Sequence, residues 1–221
     1  MRNLFLLLFS IGLQFSCNAQ LIVQSSQAEL AREQIINLKE KGALVVRLKA
    51  QIAAIEKLQK RGLVNQANIL KKRTAVQNKQ WMTAFKAAFD FCPVYFIDER
   101  GTDAIKNEDF KANIFLNDDL EIDESIPCDA AYFLTAEYGQ TLILPKVEEI
   151  ESERESTDYQ GNKSEVEVTA FIVKDKNFEP LKRPFPFYVR EYTGVVISRS
   201  EKGMARYLNR NLTNFYKSAK Q

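Results

Sequence analysis

Leu30, Ala31, Ile35 and Leu38 recur at helical spacing behind Ser26 and Glu29, which stand at capping-box separation, and Gly42 follows where helices commonly stop. The pattern predicts a first helix over 27–40. Ala43 to Leu48 is a short apolar run with two valines and reads as a buried strand. From Gln51 to Phe89 the period is helical again, with Ile52, Ile55 and Leu58 ahead of Gly62, a polar stretch over Lys71 to Gln80, and a dense stripe of Trp81, Phe85, Ala88 and Phe89. This 51–89 excursion predicts a helical hairpin broken at Gly62, its tip projecting from the sheet.

Pro93 to Ile97 is a second buried strand, so strand, helical excursion and strand form a parallel crossover, right-handed by the general rule. Asp98 to Gly101 reads as a turn, followed by a short helix to Asn107, a strand over Ala112 to Leu116 and strand-like residues over Ala130 to Tyr138. Glu148 to Gly161 is acidic and lacks aliphatic side chains after Ile150, which predicts a surface loop. Glu165 to Val173 first alternates and then turns wholly apolar at Ala170, as when an edge enters a covered centre. Asp175 to Asn177 turns the chain back. Phe185, Phe187 and Val189 share one strand face, while Pro184 and Pro186 confine that strand to an edge or to its own beginning. Gly194 to Ser198 supplies a last strand. Ser198 and Glu201 form a second capping box, and Met204, Leu208, Leu212 and Phe215 mark a closing helix. The expected fold is α/β or α+β: a single mixed sheet covered by helices, crossovers first and antiparallel pairing later.

The chain begins with a different pattern. Arg2 precedes an apolar stretch from Leu4 to Leu13, and Cys17 and Ala19 place small residues three and one positions before a cleavage point. The expectation is a signal peptide over 1–19 and a single mature domain over 20–221, periplasmic or secreted. Cys17 behind Ser16 offers the alternative of a lipidated cysteine and a membrane-tethered lipoprotein. The stretch is shorter than the roughly 20 apolar residues of a membrane-spanning helix, and no later segment supplies one.

Composition narrows the chemistry. An apolar fraction of 45% is that of a globular chain. Basic and acidic residues number 31 and 29, a formal charge of +2 that falls to +1 when Arg2 leaves with the signal. Basic residues read as scattered among acidic ones, so no global field favours nucleic acid. The absence of histidine removes the commonest general base, the usual partner of a nucleophilic serine or cysteine, and the usual nitrogen ligand of metals. The closest glycines, Gly194 and Gly203, are too far apart for a phosphate-cradling loop. No cofactor is expected.

Three candidate sites remain. Cys92 and Cys128, the cysteines left after cleavage, can pair as a disulfide, stand as two separate thiols, or include a reactive one. Asp118, Asp119, Glu121, Asp123 and Glu124 offer the oxygen ligands calcium takes, without the glycine turn or the correctly spaced bidentate glutamate of a calcium loop. Arg183, Tyr188, Arg190 and Tyr192 mix aromatic and guanidinium groups along the proline-led strand, a composition common on recognition surfaces.

GALVVRLKA at Gly42 to Ala50, FDFCPVYFID at Phe89 to Asp98 and FIVKDKNFEPLKRPFPFYVR at Phe171 to Arg190 resemble a family of uncharacterised exported proteins from Bacteroidota. The resemblance covers under half of the mature chain and implies export, with no activity or functional residue to carry over. A looser likeness is to thioredoxin-type folds, in which strand, helix and strand precede an antiparallel hairpin and a last helix. The chain lacks their Cys-x-x-Cys, and Cys92 stands after a helix rather than at its start. The expected function is that of a non-catalytic exported domain, binding an unknown protein or envelope component through a sheet edge or the helical projection. The alternative is a periplasmic thiol oxidoreductase or carboxylate-based hydrolase.

Overall fold

The computed structural model describes residues 26–110, 114–143, 166–193 and 197–221. The expected signal peptide, Cys17 and the acidic loop at 148–161 lie outside them. Helix α1 occupies 26–41 and runs directly into β1 (Gly42–Arg47). Gly42 belongs to the strand, and the tightness of the corner explains it: a Cβ there would stand 2.7 Å from Leu38 Cα and 2.9 Å from Asn37 O. Any larger residue would push the helix off the strand.

The excursion forms α2 (Ile52–Lys60) and α3 (Val64–Ala88), broken at Gly62, whose φ of 74° is a left-handed conformation suited to glycine. Then come β2 (Val94–Ile97), a single 3-10 turn (Glu99–Gly101) and α4 (Thr102–Lys106). The chain continues through the long β3 (Tyr132–Ile143), β4 (Val166–Lys174), β5 (Tyr188–Arg190) and a two-strand ladder of β6 (Tyr192–Thr193) with β7 (Ile197–Ser198), ending on α5 (Glu201–Ala219).

Five strands form one mixed sheet in the order β2-β1-β3-β4-β5. β1 is parallel to both neighbours, Val45 facing Tyr95 on one side and Thr135 on the other, whereas β3–β4 and β4–β5 are antiparallel. Strand alternation sends Leu44 and Val46 to one face and Val45 to the other. On the first face α1, α3 and α5 contribute Ile35, Leu38, Trp81, Phe85, Leu208 and Leu212 to a large apolar cluster. On the second, Ile105 of α4 joins Ile114, Phe115, Phe133 and Phe178 in a smaller one.

Two expectations are corrected. Of the expected strand over Ala112 to Leu116, residues 112 and 113 lie outside the described residues, and 114–116 form no strand, Leu116 making an isolated antiparallel bridge to Ile122. Ile114, Phe115 and Leu116 are apolar because they cover sheet faces and edge, and all three are buried. The cap of α5 is Ser200, whose hydroxyl accepts from Gly203 N at 3.2 Å, whereas Ser198 lies in β7. Asn209 of α5 binds the α3–β2 junction, its Oδ1 accepting from the backbone N–H groups of Asp90 and Phe91 at 3.0 and 2.9 Å.

Candidate binding cleft

In an α/β sheet a ligand commonly sits beyond the carboxyl ends of parallel strands, where successive connections diverge. Here that place is the end of β1, and it is filled. Trp81 stands 5.1 Å, ring to ring, from both Tyr138 and Phe171, and Asn78 Nδ2 donates to Lys49 O at 3.0 Å. The remaining cavity, of about 20 Å3, has room for one water.

The second face of the same region carries an ion cluster. Arg47 lies directly across from Glu137 in the β1–β3 ladder. Its Nε donates to Glu137 Oε2 at 2.8 Å, Lys174 Nζ donates to Oε1 at 2.7 Å, and the guanidinium rests 4.2 Å above the Phe178 ring. Burial on its own would raise the Glu137 carboxyl, but the hydrogen bonds from Lys174 and Arg47 outweigh it and hold it below the ordinary range. A carboxylate pinned in its charged form by two cations is suited to joining strands and poorly suited to giving up a proton.

A larger cavity lies at the β2 edge of the sheet. Between β2, the end of α3 and the turn after Leu116, a cleft of about 470 Å3 is lined by Val94, Tyr95, Phe96, Phe115, Asn117 and Ile126, among others. That volume is within the about 300–1,000 Å3 typical of ligand clefts. The polar backbone of its β2 wall follows from register. Leu44 N donates to Pro93 O at 2.9 Å and Leu48 N to Ile97 O at 2.8 Å, so alternate β2 residues Pro93, Tyr95 and Ile97 face β1. Val94 and Phe96 therefore face outward. Phe96 O accepts from Leu116 N at 2.8 Å, while the N–H and C=O of Val94 meet no backbone partner among the described residues.

Asp118 and Asp119 form the rim. Asp118 pairs with Lys86, and Asp119 pairs with Lys79 at 3.0 Å, both lysines coming from α3. Asn117 Oδ1 accepts from the backbone N–H groups of Asp119 and Glu121, and Asp123 Oδ1 from Ser125 N and Oγ, which holds the turn. The Ser125 side chain, and after it the Ser125 backbone N–H, hold the Asp123 carboxyl below its usual range. Two of the candidate calcium ligands are thus ion-pair partners and a third orders the loop. Among the described residues no group of three His, Cys, Asp or Glu side chains is placed to hold a metal ion.

The cysteines are free thiols in different apolar clusters, Cys92 with Leu44 and Val46, Cys128 against the one containing Val45. The pairing that two isolated cysteines suggest is not formed. Burial pushes the Cys92 thiol up to about 12 and also raises Cys128, the reverse of what an attacking thiolate requires. Titration of the native protein with a disulfide reagent is expected to find Cys128 without prior reduction and Cys92 only after unfolding. Two thiols that respond only after reduction would contradict this placement.

The aromatic strand at the other edge largely packs inward. Phe185, Phe187 and Val189 are buried, Tyr188 and Arg190 are half-buried, and Arg183 and Tyr192 are exposed. Arg183 Nη2 donates to the Tyr188 hydroxyl at 3.3 Å, while at the end of β5 Arg199 Nη1 donates to Arg190 O and Arg199 N to Glu191 O at 2.9 and 2.7 Å. Edge placement of this proline-led strand is as expected. Its backbone is partly occupied by Arg199, whereas on β2 the outward groups of Val94 meet no backbone partner among the described residues.

A strong local charge bias also escapes the near-neutral total. Residues 51–89 contain Lys57, Lys60, Arg61, Lys71, Lys72, Arg73, Lys79 and Lys86 against the lone acid Glu56. Counting charge over the excursion alone, rather than over the chain, reveals it. Comparison of the chain with protein-family models, with curated proteins and with solved structures returns no match.

Proposed function

We propose that this chain is an exported, non-catalytic binding domain of the cell envelope that takes an extended polypeptide segment into the cleft beside β2. The observation that carries the reading is the outward N–H and C=O of Val94 at the wall of a 470 Å3 cleft floored by Tyr95, Phe115 and Ile126. An added strand satisfies such backbone groups, and apolar pockets beside them select alternate side chains. Export rests on the leader pattern at 1–19 and on the resemblance to exported proteins; lipidation at Cys17 would add a tether. Among the described residues no helix is long and apolar enough to cross a membrane.

The enzyme alternative has less support. A thiol oxidoreductase needs an accessible, acidified cysteine, whereas Cys92 is buried and its thiol raised. A carboxylate hydrolase needs one carboxyl held protonated beside another, and Glu137 is held in the opposite sense.

An immobilised pool of random octapeptides supplies the test. Wild-type protein is expected to retain a subset of sequences, and Val94→Arg, which fills the cleft from its wall, is expected to bind that subset at least about tenfold more weakly. Tyr192→Ala is expected to bind as wild type. Equal binding by a folded Val94→Arg protein would remove the cleft from the function.

A further inference from the structure

The distal half of the α2–α3 hairpin is exposed almost throughout. No residue of α2 is buried, and between Gln59 and Arg73 the buried residue is Ala67. Lys57, Lys60, Arg61, Lys71, Lys72 and Arg73 are exposed, and among the described residues none of the six forms an ion pair. By contrast, Lys79 and Lys86, at the proximal end of the same helix, are matched to Asp119 and Asp118. Cationic charge is neutralised near the sheet and left unneutralised toward the tip.

The same half displays aliphatic side chains that packing would ordinarily cover. Leu63 and Val64, at the apex, are 39% and 53% exposed, while Ile69 and Val76 are 66% and 59% exposed and fall seven residues apart on one helical face with Lys72 and Arg73. Counting about 1.5 Å per residue, the ten residues from Val64 to Arg73 extend about 15 Å. Scattered apolar residues on a surface are ordinary, but four on one projection among six unpaired cations are not.

We infer that the distal half of the hairpin docks on the surface of an anionic bilayer, Lys60, Arg61 and their neighbours meeting lipid phosphates while Leu63 and Val64 enter the interface. The charge complementarity is direct, since each basic residue near an anionic surface strengthens binding about fivefold. The aliphatic side chains decide between a bilayer and an acidic protein: an interfacial layer accepts cationic heads and apolar tips together, whereas charge matching to an acidic partner makes no use of Leu63 or Val64. This docking is independent of the cleft. It would place the binding domain against a membrane without a spanning segment.

Co-sedimentation of the mature chain, residues 20–221, with vesicles of phosphatidylcholine doped with phosphatidylglycerol tests it. Wild-type protein is expected to sediment with these vesicles, to stay in solution with pure phosphatidylcholine, and to be released by salt. Lys60→Glu/Arg61→Glu is expected to weaken binding by about 25-fold or more, and Leu63→Ser/Val64→Ser, which keeps every charge, by about tenfold. Val94→Arg should bind vesicles as wild type does, which separates this result from the fate of the cleft. Lys60, Arg61, Leu63 and Val64 are exposed, Val94 is half-buried at the cleft wall, and circular dichroism checks the fold of each variant. No sedimentation with anionic vesicles, or an unchanged Leu63→Ser/Val64→Ser protein displaced fully by soluble polyglutamate, would overturn the proposal, the latter in favour of an acidic protein partner.

Discussion

Replacing Phe171 by alanine is expected to destabilise the protein by about 3–5 kcal/mol, the range for deleting a buried aromatic side chain. Phe171 lies on β4 where that strand is covered on both faces, and it is 1% exposed. Its ring stands 4.8 Å from Phe85 and 5.1 Å from Trp81, so it joins the central sheet to α3. Neighbouring rings cannot collapse into the space, because Trp81 is held against Tyr138 and Phe85 against Phe89 and Phe96. For a domain of about 200 residues each kcal/mol corresponds to about 2–4 °C, so thermal melting should shift down by about 6–20 °C. Phe171→Leu, which refills most of the volume, should cost less than half as much. A shift under 2 °C for Phe171→Ala would mean that α3 does not pack on β4 as described.

The second large effect is expected at Glu137. Glu137→Gln keeps the shape but leaves Arg47 and Lys174 without their carboxylate on a face where Glu137 and Lys174 side chains are 15% and 13% exposed. Removing one partner of a fully buried pair costs about 3–5 kcal/mol; here, with Arg47 at 23% exposure and within reach of water, about 2–3 kcal/mol is expected. The pH dependence follows from the lowered carboxyl. The unfolded state binds the proton first as pH falls below the ordinary value of 4.5, so the stabilisation is complete above that pH and is lost as pH drops through the lower, folded-state value. Denaturant titrations of wild type and Glu137→Gln should therefore differ by a constant amount from pH 7 to about pH 5 and converge in more acid solution. A gap that persisted undiminished to pH 2 would assign the effect to packing rather than charge.

Much of the fold is legible wherever burial dictates residue type. β1 and β2 read within a residue of their true ends because each is a short apolar run bounded by polar residues or a proline, and Gly62 marks the break between α2 and α3, where its positive φ suits glycine. The apolar end of β4 signals a covered strand, and Ala170 to Val173 are buried accordingly. Where two physical causes produce one composition, sequence misleads. Ile114 to Leu116 is as apolar as a strand because it lies over sheet surface and edge, and Ser198 and Ser200, two residues apart, offer rival caps that only geometry separates.

The sites were less legible for a related reason. Aromatic residues at Phe185 to Tyr192 can serve recognition or packing, and contact with the core takes Phe185 and Phe187 inward. The cleft beside β2 has no compositional signal, since it depends on which backbone groups β1 leaves unused. The ion pairs of Asp118 and Asp119 with α3 join residues more than thirty positions apart, a match no local motif announces. The basic hairpin was open to a count taken segment by segment.

Amide hydrogen exchange along β2 tests the cleft most directly. In the free protein Val94 is expected to exchange fast while Tyr95 and Ile97, hydrogen-bonded to β1, exchange slowly; adding a peptide retained from the octapeptide pool should slow Val94 by at least about tenfold and leave Tyr95 and Ile97 unchanged. A Val94 amide as protected as Tyr95 before any peptide is added, or one that peptide binding leaves fast, would contradict strand addition at this edge.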